Sequence, residues 1–267
     1  MKKKIANFYK LIKQIKRLNS KSVLVYQMGK VGSSSIEKEL IRHGVDVMHT
    51  HKISNSDVHF YEPEIIDKLK RFRIKIMHFF VSRLVKKKKC KIITIVRDPL
   101  DRTLSQMFHH IDLLIYNHNK DDTRKEESTY DLFKSILLND VNINYSDEWM
   151  KGEFNASIGG DYLDYDFNKK LGYGFIETSK KEILILRFED LGGLSNVIGA
   201  FVGVDGFQLS YSNRAAHKWY GDLYKNFKKE LEVSDDVFDG IYETPYFEHF
   251  YGDVVRQKKK DQWVKCI

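Results

Sequence analysis

The order of elements between residues 22 and 49 narrows the fold more than any other feature of this chain. Ser22-Val23-Leu24-Val25-Tyr26-Gln27 is short, apolar and rich in β-branched residues, which predicts a buried strand. A loop bearing glycine and serine follows at 28–35. Helical spacing then runs from Ser35 to His43, with Ile36, Leu40 and Ile41 on one side and Gly44 as a helix stop. Val45-Asp46-Val47-Met48-His49 reads as a second strand. Strand, loop, helix and strand in this order predict a βαβ unit, and with it a parallel sheet.

The rest of the chain is consistent with that unit. Residues 62–85 place charged and apolar groups at helical spacing, and Lys86-Lys87-Lys88-Lys89 reads as a solvated turn. Lys91-Ile92-Ile93-Thr94-Ile95-Val96 is the clearest strand; it ends at Arg97-Asp98-Pro99, where proline suits the first turn of a helix running through Ser105, Phe108 and Ile111. Residues 117–130 are polar and read as a loop, while 131–180 are aromatic and mixed and yield no assignment. Glu182 to Phe188 reads as another buried strand, 194–202 as a helix, and the tail from 206 as loop and helix with helical spacing in 222–232. There is no repeat and no Gly/Ser-rich linker, and only three prolines occur in 267 residues. The expectation is a basic N-terminal helix over residues 1–20 and one domain over 21–267. In residues 4–18, Ile5, Phe8, Leu11, Ile12 and Ile15 share one helical face that could touch anionic lipid; packing on the domain is the favoured alternative.

The two cysteines, Cys90 and Cys266, form no CxxC pair, which argues against zinc and suits a reducing cytoplasm. No secretory signal and no membrane-spanning run is legible, so the expected location is cytoplasmic, with the inner face of the membrane as the site of any peripheral contact. A formal net charge of +8 points to anionic partners such as nucleotides, nucleic acid, acidic glycans or a membrane surface, and equally to simple solubility.

The first loop, Gly29-Lys30-Val31-Gly32-Ser33-Ser34-Ser35, has chemistry of its own. N–H groups at a helix start point outward unpaired, and the helix dipole adds positive potential. Gly32 permits close backbone approach, the serines add hydroxyl donors and Lys30 adds a full charge, a set suited to a tetrahedral anion. A turn with a helix cap is the competing reading. The loop is not a Walker A motif, because the lysine precedes the second glycine and no Ser/Thr follows a lysine to hold Mg²⁺. A second strand-to-helix junction lies at Arg97, and in a parallel sheet both junctions fall on the carboxyl edge, where ligands bind. Arg97 can reach a phosphate in a bidentate manner, and Ser105, two turns on, can face the same way. Arg102 could bind too, or pair with Asp98 or Asp101.

Lys-x-Gly-Ser-Ser after a first strand, and Arg-Asp-Pro-x-x-Arg-x-x-Ser-x-x-Phe after a central one, resemble the two donor-binding motifs of sulfotransferases that use 3′-phosphoadenosine 5′-phosphosulfate. The resemblance spans roughly residues 22–228. Leu186-Arg187-Phe188-Glu189-Asp190-Leu191 is similar to that family's strand ending in (Tyr/Phe)-Glu-Asp-Leu. Asn213 to Tyr220 resembles its late basic loop. Lys218-Trp219-Tyr220 more narrowly resembles bacterial capsular polysaccharide synthesis proteins with the signature Asn-Lys-Trp-Tyr-Ser, although His217 and Gly221 stand at the ends here.

The resemblance implies a P-loop-like three-layer α/β fold with a central, mostly parallel sheet flanked by helices. It implies that Lys30, Val31, Gly32, Ser33, Ser34 and Ser35 bind the 5′-phosphosulfate. Arg97 and Ser105 would bind the 3′-phosphate, and Lys218, Trp219 and Tyr220 would close over the donor. The reaction it implies is sulfuryl transfer without a metal to a hydroxyl, with a glycan as the expected acceptor and no nucleic acid as partner. Lys30 is placed to neutralise the leaving oxygen. The acceptor proton needs a base, for which His51 and His49, just after the second strand, are the candidates, His51 slightly favoured because it lies further out. His49-Thr50-His51 could also pair on a metal, but no third ligand is evident. His109 and His110 are weaker candidates, and Glu37 and Glu39 read as surface residues. The rival readings are a P-loop-like nucleotide-dependent kinase and a non-catalytic anion-binding module.

Overall fold

A computed structural model describes residues 22–54, 79, 90–118, 128–210 and 218–264. The expected N-terminal helix, the 62–85 helix apart from residue 79, and the lysine run at 86–89 lie outside the described residues, as do most of the loop expected at 117–130 and residues 213–217 of the late basic loop.

Six strands form one sheet: β1 (Val23–Tyr26), β2 (Val47–Thr50), β3 (Cys90–Val96), β4 (Phe167–Asn168), β5 (Tyr173–Glu177) and β6 (Lys181–Arg187), in the order β2-β1-β3-β6-β5-β4. The first four in that order are parallel, and β5 and β4 add antiparallel at one edge. The parallel strands are continuous apolar runs because helices cover both faces, leaving no solvent side to demand polar alternation. In β3, Ile92, Ile93, Ile95 and Val96 are all buried, as are Ile183 through Leu186 in β6.

The helices among the described residues are α1 (Ser33–Arg42), α2 (Pro99–His109), α3 (Ile111–His118), α4 (Thr129–Asn139), α5 (Tyr145–Trp149), α6 (Asn155–Ile158), α7 (Ser195–Val202), α8 (Gly221–Glu230), α9 (Asp235–Tyr242), α10 (Pro245–Phe250) and α11 (Asp253–Trp263). A π-helical turn, Met150–Phe154, joins α5 to α6. The result is a three-layer α/β fold with a mostly parallel central sheet, as the sequence predicts.

Several boundaries move. The first helix starts at Ser33, two residues before the predicted start, because Gly32 in the left-handed region turns the chain directly into it. The helix from Pro99 ends at His109 and a new one begins at Ile111, where a continuous helix was expected. Asp98 caps α2, its carboxylate accepting the Asp101 N–H at 2.9 Å. The unassigned stretch at 131–180 holds most of α4, then α5, α6, β4 and β5.

Because β1, β2, β3 and β6 are parallel and in register, their carboxyl ends emerge side by side. Gln27, His51, Arg97 and Phe188 each follow the last residue of one of these strands. The site is built on that edge.

Candidate functional site

Three residues of the loop after β1 take positive φ: Gly29 at 89°, Lys30 at 62° and Gly32 at 78°. Such turns aim successive backbone N–H groups at one point and form anion-binding concavities. Lys30 is the non-glycine residue among the described ones with positive φ. A side chain in this region is strained and persists only where the surroundings impose it, a pattern that concentrates at functional sites. Here Arg102 supplies the constraint: buried under the loop, it donates from Nη2 to the Met28 carbonyl at 3.2 Å and from Nε to the Gly29 carbonyl at 3.4 Å. Its guanidinium stacks on Tyr145, 4.1 Å from the ring centre. Arg102 therefore holds the loop from beneath. It does not pair with Asp98 or Asp101, which bind Lys259 and Lys228 instead.

Gly32 is required by the protein's own packing. A Cβ there would come within 2.8 Å of Phe188 Cε2. Gly32→Ala adds this clash to the penalty for a left-handed alanine, so a loss of at least about 1–2 kcal/mol is expected in urea unfolding. Phe188 in turn carries Arg97, whose guanidinium lies 4.3 Å from the ring centre. The segment Phe188-Glu189-Asp190 is thus more than a strand end: Glu189 accepts the Asp98 N–H and the Tyr251 hydroxyl, each at 3.0 Å.

The two predicted anion-binding motifs meet directly, because Arg97 Nη1 donates to the Lys30 carbonyl at 2.8 Å. The Tyr246 hydroxyl fixes the Arg97 backbone from behind, donating to its carbonyl at 2.8 Å and accepting its N–H at 3.0 Å. Ser105 is half-buried two turns into α2. Val31, Ser33 and Ser35 are buried in the loop and first helical turn, whereas Ser34 is exposed. Burial first, then the charges of Lys218, Arg97 and Arg102, lower the Lys30 pKa to about 8. The late loop and the first loop therefore share one electrostatic neighbourhood. In that loop Tyr220 is buried, Lys218 lies 5.5 Å from its ring centre, and Trp219 presents its indole to solvent.

Both histidines after β2 adjoin the loop. His51 Nδ1 is 2.9 Å from the Gln27 carbonyl oxygen, and its ring faces Gly29. His51 keeps an accessible surface while protein atoms crowd its ring. This crowding, followed by the neighbouring His49, holds its pKa below the ordinary histidine value. His49 is more enclosed, with Nδ1 3.1 Å from Glu37 Oε2 and Nε2 3.2 Å from Ser33 Oγ. Glu37, expected on the surface, is instead a partner of this histidine. Gln27, Glu37, Phe188, Glu189 and Tyr246 all went unpredicted as site residues. The helical offset of Glu37 from the loop was a usable signal, since residue 37 falls one turn after Ser33 and faces the same way. Among the described residues, no group of three or more metal-ligating side chains converges. His109 and His110 pack against each other, 4.8 Å between ring centres, on the far end of α2. A separate cavity of about 790 Å³, lined in part by Tyr165, Phe167, Glu243, His249 and Arg256, lies beside β4 and α10 and includes none of the loop residues.

Fold and site together define a three-layer α/β protein with a cationic strand–loop–helix junction at the carboxyl edge of its sheet. Residues 120–252, just under half of the chain, match a family model described as "Putative capsular polysaccharide synthesis protein", NKWYS. Lys218-Trp219-Tyr220 lies inside the match, while the first loop, Arg97 and Ser105 lie outside it. No curated protein and no solved structure matched the chain. Among the described residues, no helix is long and apolar enough to cross a membrane.

Proposed function

We propose that the chain transfers a sulfuryl group from 3′-phosphoadenosine 5′-phosphosulfate to a hydroxyl of a capsular or surface polysaccharide. The observation that carries this reading is the direct joining of two motifs far apart in sequence: Arg97 bonded to the Lys30 backbone, with Lys218 near enough to depress the Lys30 pKa. Crowding cations this way is unfavourable until an anion arrives, and a donor bearing a 5′-phosphosulfate and a separate 3′-phosphate matches both halves of the cluster.

In this reading the N–H groups of residues 31–34 and the serine hydroxyls hold the phosphosulfate. Arg97 and Ser105 hold the 3′-phosphate, and Lys218, Trp219 and Tyr220 cover the nucleotide. The acceptor oxygen attacks sulfur in line as the bond from sulfur to the bridging oxygen breaks. The hydroxyl proton passes to a histidine at the end of β2, and the charge left on the departing phosphate meets Lys30. Positioning and charge stabilisation supply the rate, as in phosphoryl transfer. The polysaccharide acceptor rests on the family match over residues 120–252.

Calorimetric titration with adenosine 3′,5′-bisphosphate and with ATP-Mg²⁺ tests the reading. The bisphosphate should bind tightly and Arg97→Ala should abolish that binding. A chain that takes up only ATP-Mg²⁺ would be a kinase or nucleotide hydrolase, and the sulfotransferase reading would fall.

A further inference from the structure

Gln27 is fully buried at the end of β1, and its neighbours fix which way its amide points. Its Oε1 receives the Gly29 N–H, a group that can only donate, so the oxygen faces the loop and the nitrogen faces the histidines. Gln27 Nε2 then lies 2.7 Å from His49 Nε2 and 2.9 Å from Ser33 Oγ. An amide nitrogen donates, so His49 Nε2 must accept, which places the ring proton on Nδ1, against Glu37. Ser33 Oγ accepts the second amide hydrogen and keeps its own hydrogen to donate. His51 is decided separately. Its Nδ1 faces the Gln27 carbonyl oxygen, which only accepts, so Nδ1 carries the proton and Nε2 keeps its lone pair. The 3.1 Å approach of Gln27 Nε2 to His51 Nδ1 is therefore a contact between two donors.

We propose that Glu37, His49 and Gln27 are positioning residues, one hydrogen-bonded chain that holds Gly29 in place through its N–H and sets how the loop presents the Ser33 hydroxyl, and that His51 alone is left as the base. This rests on the sulfuryl-transfer reading for the chemistry, though the chain itself is a statement about hydrogen bonds. The physical logic runs outward from Glu37. Without its carboxylate the His49 proton is free to move to Nε2, where it would face the amide hydrogens of Gln27. Turning that amide to relieve the conflict would set its NH₂ against the Gly29 N–H. Either way two donors compete for one place, and the disturbance reaches the anion loop. The same chain explains why His49, despite lying in the site, has no nitrogen left to take a proton from an acceptor.

The test uses the full chain in two measurements: imidazole ¹⁵N spectra, and calorimetric titration with adenosine 3′,5′-bisphosphate. In the wild type the spectra of the neutral rings should place the proton on Nδ1 in both histidines. Glu37→Ala, at a half-buried helix position, should shift His49 toward the Nε2-protonated form and weaken the bisphosphate roughly 10-fold or more, by analogy with the loss when a partner behind a metal ligand is removed. Glu37→Gln, whose amide oxygen still accepts from Nδ1, should stay close to wild type in both. Gln27→Met should weaken binding while leaving the His51 signal in place. His51→Ala should bind the bisphosphate normally yet lose the acidic limb of the pH–rate profile. If Glu37→Ala binds like wild type with an unchanged His49 spectrum, the positioning chain is refuted. If His51→Ala turns over with an unchanged profile, His51 is not the base. A wild type that ignores the bisphosphate would sink the donor reading, and the ¹⁵N spectra would still judge the chain.

Discussion

Lys30→Ala should slow sulfuryl transfer by about 10²–10³-fold, the usual loss when one group that meets developing charge is removed, while the bisphosphate still binds with reduced affinity. The same variant should be more stable than the wild type. Lys30 has its pKa lowered from 10.5 to about 8 by burial and by Lys218, Arg97 and Arg102, so its charged form is worse off in the folded chain than in the unfolded one. The sign follows. Below about pH 8 Lys30 is protonated in both states and the full penalty is present. Between 8 and 10.5 the unfolded chain holds the proton and the folded chain does not, so wild-type stability rises with pH and the gap to the alanine variant closes. Single-turnover transfer and thermal unfolding at pH 7 and pH 10 measure both effects. Unchanged turnover would remove Lys30 from the chemistry. A variant that melts lower at pH 7 would show that its stem packing outweighs its charge.

The largest structural effect is expected at the buried start of α2, next to Arg97. Asp98 has no exposed side-chain surface, and Lys259 Nζ lies 3.2 Å from its carboxylate and 3.0 Å from that of Asp101. Burial works against the Lys259 charge, but Asp98 and Asp101 outweigh it and hold its pKa above the ordinary lysine value. Lys259→Met keeps the stem and removes the charge, leaving Asp98 with the Tyr242 hydroxyl and the Asp101 N–H as partners. Stripping one member from such a pair costs about 3–5 kcal/mol. The loss should depend on pH. Burial already raises the Asp98 pKa, and without Lys259 it climbs further, so the folded variant holds a proton that the unfolded chain releases. Its deficit should therefore widen from pH 5 to pH 8 in urea unfolding. A deficit that is flat with pH, or below 1 kcal/mol, would mean that Lys228 and water already compensate these carboxylates.

The sheet was legible because β1, β3 and β6 are unbroken apolar runs, which a parallel sheet covered on both faces requires. Strands β4 and β5 were not, because one is two residues long and the other alternates buried and exposed positions among aromatics that could equally be helical. For the site, the loop and Arg97 announce themselves by type and spacing. What they touch does not. Nothing local marks Gln27 as anything but a strand end, and its role comes from pairing β1 beside β2, which sets Val25 opposite His49. Phe188 and Gly32 are separated by more than 150 positions, yet each dictates the other's size. Arg102 was open between ligand binding and a pair with Asp98 or Asp101 for the same reason: its partners are backbone carbonyls 73 and 74 residues earlier, which no charge pattern reveals.

The bond from Lys259 to Asp98 also has a consequence for the order of events during synthesis. Chains fold from their amino end as they leave the ribosome. The strand–loop–helix–strand unit that carries the Gly29–Ser35 loop is complete by residue 50, and Arg97 emerges soon after. The residue beside Arg97 nevertheless carries a charge whose partner is translated some 160 residues later. Until then the capping carboxylate of α2 must stay hydrated or protonated, and the Tyr246 hydroxyl that fixes the Arg97 backbone is made nearly as late. The corner around Arg97 thus has an early half and a late half, and its supports are complete only when almost all of the chain has been made.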